Sequence, residues 1–416
     1  MKFLFDLDGT VTSQETLPVI ANHFKCQEEI AELTKRTVAG NVPFIESFIR
    51  RVNILGKYSV SETSDLLSHV PLYPELKQFI DNHRADCIIV TGNLICWCDG
   101  LFRKIGCQCY GSEAELDDDH VVKLKSILRK EDIVDRYKAL GETVVFIGDG
   151  NNDLEAMRHA NISIATGMTH NPAQSLLAIC DYVVYNENAL CRQLCQLYGE
   201  HSDKKSVVIS CAGIGSRLGL GLTKALVQIN GNSLISWQLK LFKDVEDLRI
   251  VIGFQGSEII QEVRKYREDV IFCYNQRYFE TKTGASYFLG ARHANEYSLE
   301  WDGDLLVHPD DVKNYDYEQI RMYDLALANG SNTPTVEGGE DDGDAIEVFD
   351  ELSGIDSQLG DIEMAGDEGD SSGTVTLKIT AAGDCTFGGE VGSKGRRRFL
   401  DLVEKYGYDY FFNGVR

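Results

Sequence analysis

Short apolar stretches alternate with amphipathic ones through the first two hundred positions. Residues 2–6, 87–91, 143–147 and 162–165 are short, mostly apolar runs rich in Val, Ile and Phe, the mark of strands buried on both faces. Between them, 28–38 and 43–55 place apolar residues three and four apart, as a helix that buries one face does. Such alternation predicts βαβ units and a parallel sheet. The polar stretch Gly199-Glu200-His201-Ser202-Asp203-Lys204-Lys205 breaks the rhythm and predicts a domain boundary near 200–205. Strand-like runs at 206–210, 248–253, 270–274 and 304–308 then predict a second α/β unit reaching about residue 322. From 328 to 373 Gly, Asp, Glu and Ser dominate without a period, which predicts a flexible acidic linker. Residues 375–379 alternate like a strand and 397–406 read as a helix, so 374–416 is expected to be a short α/β piece that stops before a third core is complete.

Composition sharpens this division. At 416 residues, two or three domains are expected. The net charge is −24, and 14 of the acidic residues fall between Thr335 and Asp370 with no Lys or Arg among them, so the acidity belongs mostly to one segment. That balance excludes a nucleic-acid binder, whose affinity comes from clustered Lys and Arg. The one basic run, Arg396-Arg397-Arg398, reads as a solvated patch. No apolar run approaches the ~18–20 residues needed to cross a bilayer, and Asp6 comes too early for a signal peptide, so a cytoplasmic protein without membrane insertion is expected. Twelve cysteines then read as reduced thiols. Cys96-x-Cys98 and Cys107-x-Cys109 lack the two-residue gap of a zinc knuckle and read as apolar packing.

The first strand-like run leads straight into Asp6-Leu7-Asp8-Gly9-Thr10. Two carboxylates two residues apart at a strand's C-terminal end project the same way, which suits one nucleophile and one acid/base. A carboxylate attacks phosphorus when a cation offsets the repulsion between anions. Thr91-Gly92-Asn93, at the end of the second run, offers a hydroxyl and backbone N–H groups to phosphate oxygens. Lys130 adds a fixed positive charge. The run 144–147 ends in Gly148-Asp149-Gly150-Asn151-Asn152-Asp153, whose Asp149 and Asp153 suit Mg²⁺. Ends of parallel strands converge on the crevice where open α/β sheets bind ligands.

These four motifs, in this order, resemble the haloacid dehalogenase (HAD) superfamily, and within it the phosphoserine phosphatase branch, over about residues 1–195. The resemblance implies a HAD-type Rossmann-like parallel sheet over 1–200 with a small helical cap from about 12 to 72. It implies Asp6 as nucleophile, Asp8 as general acid/base, and Thr91 and Lys130 as phosphate ligands. Mg²⁺ would be held by Asp6, by Asp8 through its backbone carbonyl and by Asp149, with Asp153 in support. It also implies a substrate-reading set beside Gly92 and Asn93: Glu15 for an ammonium, Arg51 (or Arg50) for a carboxylate and Phe44 as an apolar wall. That set suits a small phosphorylated amino compound such as phosphoserine. At Thr91 and Asn93 the sequence departs from the branch, where serine and glycine are usual.

A second constellation follows the run 206–210: Cys211-Ala212-Gly213-Ile214-Gly215-Ser216-Arg217-Leu218-Gly219, then Thr223-Lys224-Ala225-Leu226. Glycines let a backbone pass close to phosphates, while Arg217 and Lys224 supply charge for a triphosphate. A Walker loop would need Gly-Lys-Ser/Thr, and a Rossmann fingerprint would need glycine where Leu218 stands. The stretch resembles sugar-nucleotidyltransferase-like proteins, especially small cytidylyltransferases of surface-polymer pathways, over 205–322, about half the usual length of such a domain. That resemblance implies CTP or another NTP on Gly213, Gly215, Arg217, Lys224 and Ser286. It implies Asp310, in Leu305-Leu306-Val307-His308-Pro309-Asp310-Asp311, as a Mg²⁺ ligand and release of pyrophosphate by in-line attack. The piece 374–416 resembles the opening of CapA-type capsule synthesis proteins and carries one metal-type acid, Asp384.

Together these readings predict a Mg²⁺-dependent phosphomonoesterase joined to a nucleotidyltransferase in surface-polysaccharide precursor synthesis. Two alternatives stand beside it: nucleotidyl transfer as the main activity with an auxiliary phosphatase domain, and a non-catalytic scaffold tethered by its acidic segment.

Overall fold

The run that opens the chain becomes a central strand, β1 (Lys2–Phe5), in which Phe3, Leu4 and Phe5 are completely buried. It carries no alternation because it is enclosed on both faces. The computed structural model describes residues 1–38, 44–215, 221–281 and 283–305. Arg217, Asp310, the acidic stretch 328–373 and the piece 374–416 lie outside the described residues.

The N-terminal part continues with β2 (Cys87–Leu94), β3 (Gln108–Asp117), β4 (His120–Ser126), β5 (Val144–Gly148), β6 (Ile162–Thr166) and β7 (Tyr182–Val184). After the polar break come β8 (Ser206–Ser210), β9 (Gln228–Ile229), β10 (Asn232–Ser233), β11 (Asp247–Ile252), β12 (Ile271–Tyr274) and β13 (Ser298–Asp302). Apart from the small β9–β10 ladder, these strands form one sheet in the order β13-β8-β11-β12-β7-β6-β5-β1-β2-β3-β4. The strands predicted at 2–6, 143–147, 162–165, 206–210, 248–253 and 270–274 agree with the observed ones to within a residue or two, and β2 runs on past the predicted 87–91 to Leu94.

Helices α1 (Thr16–His23), α2 (Gln27–Val38), α3 (Phe44–Leu55) and α4 (Val60–Ser68) form the insert between β1 and β2, followed by α5 (Pro74–Asn82). The insert leaves and rejoins the sheet at neighbouring points, since Thr12 and Leu72 form an antiparallel bridge. Helices α6 (Ile95–Ile105), α7 (Lys130–Ala139), α8 (Leu154–His159), α9 (Gln174–Leu177) and α10 (Glu187–Tyr198) complete the N-terminal part. Helices α11 (Leu234–Leu241), α12 (Gly256–Val263) and α13 (Thr283–Ala291) belong to the second. No helix among the described residues is long and apolar enough to cross a membrane.

The short strands β7, β9 and β10 were not predicted, and two further elements differ from the apolar pattern. The β3–β4 hairpin was not predicted, because β4 is mostly exposed and its polar residues leave little apolar signal. It supports the insert: the N–H of Val121 donates to Gly56 O (3.0 Å) and that of Val60 to Asp119 O (2.8 Å). A strand that was not predicted, β13, pairs with the whole of β8 from Ser298↔Ser206 to Asp302↔Ser210, while residues 306–308 of the run expected at 304–308 lie outside the described residues. Trp301 anchors β13 edge-on against Phe242, and at Gly303 a Cβ would lie 2.4 Å from Ser210 O, so the chain turns there and Asp304 follows the strand.

The strands beyond the polar break join the sheet of the first two hundred residues through β12 on β7, with Phe272 opposite Val183 and Cys273 opposite Tyr182. That pairing is antiparallel, whereas β8, β11, β12 and β13 are mutually parallel. The C-terminal ends of β8, β11 and β13 therefore lie on the sheet edge opposite the C-terminal ends of β1, β2, β5 and β6. A buried polar network fixes the junction. Arg249, wholly buried, donates to Asp247 Oδ2 (3.1 Å), Gln196 Oε1 (2.5 Å) and the carbonyls of Gly290, Arg292 and His293. Asp247 also accepts from Arg192, Gln196 and Ser206. Burial would raise the Asp247 carboxyl, but the two guanidinium groups outweigh it and hold it below the usual range.

Candidate active site

Asp6 follows β1 directly, and its N–H donates to Ile147 O (2.8 Å), which carries the β1–β5 pairing one residue further. Its buried carboxylate takes two donors on Oδ1, the N–H of Leu7 (2.7 Å) and Nζ of Lys130 (2.5 Å). Lys130 opens α7 and also pairs with Asp153 Oδ1 at 2.6 Å. Burial would lower the ammonium's pKa, yet Asp153 and Asp6 together hold it above its ordinary value. Asp6 itself is pushed well above the carboxylate range, first by burial and then by Asp153, with Lys130 opposing.

Asp8 accepts from the N–H of Thr16 at 2.6 Å. Thr16 is the first residue of α1, whose N-cap Glu15 makes no side-chain cap bond, so a carboxylate from the β1 loop caps the first helix of the insert. Burial and then the Glu15 charge push the Asp8 carboxyl up to about 6, against the Thr16 hydrogen bonds. A group titrating there can both donate and accept a proton near neutrality.

Thr91 is buried, and its Oγ1 accepts from the N–H of Asn93 (3.1 Å). Asn93 is used internally at both amide atoms: Nδ2 donates to Thr16 Oγ1 (2.6 Å) and Oδ1 accepts from the N–H of Leu94 (3.0 Å). It ties β2 to α1. Beside it the space over Gly92 is open, since a Cβ there would meet nothing within 4 Å.

Asp149 and Asp153 come off β5. The two acids differ in what they already hold. Asp153, fully buried, gives Oδ1 to Lys130 and Oδ2 to the N–H groups of Asp149 (3.0 Å) and Gly150 (2.9 Å). Asp149 instead faces His170 Nε2 at 2.8 Å. One carboxylate oxygen each from Asp6, Asp149 and Asp153 lie within 4.8 Å of one another. Hard oxygen donors so grouped fit Mg²⁺, which Asp6 and Asp149 would hold, while Asp153 is engaged by Lys130 and the loop N–H groups. Gly9 makes the approach of Asp149 possible. Its φ is +72°, and a Cβ there would lie 2.4 Å from Asp149 Oδ2. Gly9→Ala is expected to displace Asp149 and lower Mg²⁺-dependent turnover by about 100-fold. Phosphate release followed across a Mg²⁺ titration checks it; wild-type half-saturation would show that the loop absorbs the methyl group.

The substrate-reading set is partly assembled. Glu15 Oε1 meets His170 Nε2 at 3.2 Å, and the Glu15 charge bears on half-buried Arg51, where burial lowers the guanidinium pKa and Glu15 raises it. The neighbouring Arg50 is turned to Glu46 instead. Phe44 opens α3, and its side chain lies outside the described residues. His170 and Thr16 were missed in the sequence. The signal for His170 was its position, in the loop directly after β6, where parallel strands present their ligands. Hydrogen bonds to Asp149 first and Glu15 second push the imidazole up to about 11.

In the second part, Gly215 has a φ of +66°, and a Cβ would come within 3.1 Å of Leu222 O. Lys224 forms an ion pair with Asp304, which follows β13. Gly213 is open to solvent on its Cα. Ser286 is buried at the start of α13, accepting from Asn275 Nδ2 (3.0 Å).

The N-terminal fold is a Rossmann-like parallel sheet with helices, and it gathers Asp6, Lys130, Asp149 and Asp153 where β1 and β5 end. Residues 3–161 match the model of the haloacid dehalogenase-like hydrolase family, and the N-terminal part of the chain is such a domain, of the phosphoserine phosphatase type. The phosphoserine phosphatase of Saccharomyces cerevisiae is 27% identical over 178 residues, covering 39% of this chain and 58% of its own. That of Campylobacter jejuni subsp. doylei is 26% identical over 177 residues, covering 39% of this chain and 84% of its own. A substrate-bound phosphoserine phosphatase structure is 19% identical, covering 45% of this chain and 94% of its own with a TM-score of 0.40. The alignments span 58%, 56% and 59% of the Saccharomyces cerevisiae, Archaeoglobus fulgidus and Schizosaccharomyces pombe relatives.

Proposed function

We propose that the protein hydrolyses a small phosphorylated amino compound of the phosphoserine kind through an aspartyl-phosphate on Asp6. The observation that carries this reading is the Asp6 carboxylate, oriented on one oxygen by Leu7 N–H and Lys130 within reach of Asp8 and Asp149. Asp6 attacks phosphorus while Asp8 gives its proton to the leaving oxygen; Asp8 then takes a proton from the water that cleaves the acyl phosphate. Thr91, the N–H groups around Gly92 and Lys130 meet the phosphoryl oxygens. Asp6, Asp149 and the Asp8 carbonyl would hold Mg²⁺, which supplies charge neutralisation between the two anions. Glu15 faces an ammonium and Arg51 a carboxylate. Phosphate release with Mg²⁺ should be faster from phosphoserine than from phosphoethanolamine, and Arg51→Ala should remove that preference by raising KM for phosphoserine alone. No release from any amino-alcohol phosphate would refute the reading.

Residues 205–322 support a second reading, nucleotidyl transfer from CTP or another NTP, favoured by the positive φ of Gly215 beside the Lys224–Asp304 pair. In it Gly213, Gly215, Arg217, Lys224 and Ser286 bind the nucleotide and Asp310 holds a metal, in surface-polysaccharide precursor synthesis. The antiparallel junction puts this loop on the opposite sheet edge from Asp6, so any intermediate shared by the two sites would pass through solvent. Pyrophosphate formed from CTP and a phosphorylated acceptor, and lost in Lys224→Ala, is its test. A cytoplasmic location accords with this reading.

A further inference from the structure

The antiparallel junction has a consequence for the N-terminal site. Helix α12 leaves the C-terminal end of β11 and runs back toward the start of β12, which lies on the edge where β6 and β7 end. Its tail therefore reaches the loop after β6. Arg264, the residue after α12, stacks over the Tyr185 ring at 4.0 Å and donates from Nη1 to Asn171 Oδ1 at 3.1 Å. Tyr185 in turn packs against Gly167, so closely that a Cβ there would lie 2.3 Å from the ring. The start of α12 is fixed too: Gln255 Oε1 accepts from the N–H of Thr223, and Ile259, Ile260 and Val263 are buried.

The loop 167–173 is anchored at Thr169, whose hydroxyl donates to Gly9 O (3.0 Å), and at Ala173, whose N–H donates to Asp149 O (2.9 Å). Between these anchors lies the tip, His170-Asn171. His170 reaches Glu15 and Asp149, while Asn171 reaches Arg264. We infer that Arg264 is a positioning residue for the N-terminal site: by holding Asn171 it keeps His170 against Glu15, so the second part of the fold completes the substrate wall of the first. The inference rests on reading Glu15 as part of that wall. Arg264 itself touches no reacting group.

The test uses the full chain. Arg264→Ala and Asn171→Ala should each raise KM for phosphoserine about fivefold, with kcat within about twofold, because the two flanking anchors remain. The double variant should be no worse than either single one. Asn171→Asp, which keeps an acceptor for the guanidinium, should retain the wild-type KM. Hydrogen exchange at 168–171 should quicken in both alanine variants. Unchanged KM and exchange in Arg264→Ala, or additive effects in the double variant, would overturn the inference. A wild-type chain that releases no phosphate would refute the proposed reaction instead, and the exchange arm would still decide whether Arg264 holds the loop.

Discussion

Asp6→Asn is expected to abolish phosphate release, by about 10⁴- to 10⁶-fold, because among the described residues no other buried carboxylate stands where Asp6 does. Asp149 and Asp153 share its pocket, but Asp153 is committed to Lys130 and two N–H groups and Asp149 faces His170. Neither can take over the attack. The variant should nevertheless stay folded. Asp6 is pushed well above its ordinary pKa by burial and by its acidic neighbours, so its charge is a liability in the folded state, and Lys130 keeps Asp153 as partner. A Tm equal to or above that of the wild type is expected. Acid quenching with labelled substrate should trap a hydroxylamine-sensitive phosphoprotein in the wild type and none in the variant. Turnover within tenfold of wild type would mean that the phosphoryl group never resides on Asp6.

Lys130→Met is expected to cost both activity and stability. The side chain is buried between Asp6 and Asp153, and removing one partner of a buried ion pair typically costs about 3–5 kcal/mol because the charge left behind loses its compensation. Turnover should fall about 10³-fold as a donor to the phosphoryl oxygens disappears. The stability loss should depend on pH. A carboxyl raised in the folded state contributes most below its unfolded pKa, and that contribution is lost as pH rises through the folded value. Asp6 is already raised, and Lys130 is the group that pulls it down. Without Lys130 the folded value climbs, so the urea-denaturation deficit should be larger near pH 8 than near pH 5. The lysine's own value is held above 10.5, so it stays charged across that window. A deficit that is constant with pH would show that the loss comes from packing. Lys130→Arg should not restore turnover, since a guanidinium is larger and planar where the cluster fits a compact ammonium.

The grouping of Asp6 with Asp149 was legible because both follow strand-like runs. Asp6 and Asp149 each follow an apolar run long enough to be read as a strand, and a parallel sheet brings such ends together; Thr91 follows the predicted run but lies within β2, which runs on to Leu94. Lys130 was legible as a fixed positive charge, and the structure places it at the start of α7. The roles of the neighbours were less so. Asn93, read as a substrate residue, ties β2 to α1, and Asp153 orients Lys130 more than it offers an open oxygen. His170 carries no local pattern: an imidazole in a polar loop looks the same whether it faces solvent or Asp149. The β3–β4 hairpin escaped for a related reason, since an exposed ladder has no apolar alternation to betray it.

The sequence by itself determined the apolar periodicity, and with it the βαβ order, most of the parallel strands and the placing of Asp6, Asp8 and Asp149 just after apolar runs. These are local consequences of residue order and of the two-residue and 3.6-residue repeats. It did not determine how the second part sits on the first. The polar stretch at 199–205 reads as a break, yet β12 pairs with β7 because each would otherwise leave unpaired N–H and C=O groups along an apolar strand. The direction of that pairing follows from contacts far apart in the chain, Arg192 and Gln196 with Asp247 and Arg249 among them. Those contacts turn the glycine loop to the edge opposite Asp6 and carry Arg264 to the loop that bears His170. Only the tertiary structure decides such matters, because the free energy of burying an ion pair or pairing two edges depends on what arrives from elsewhere in the chain.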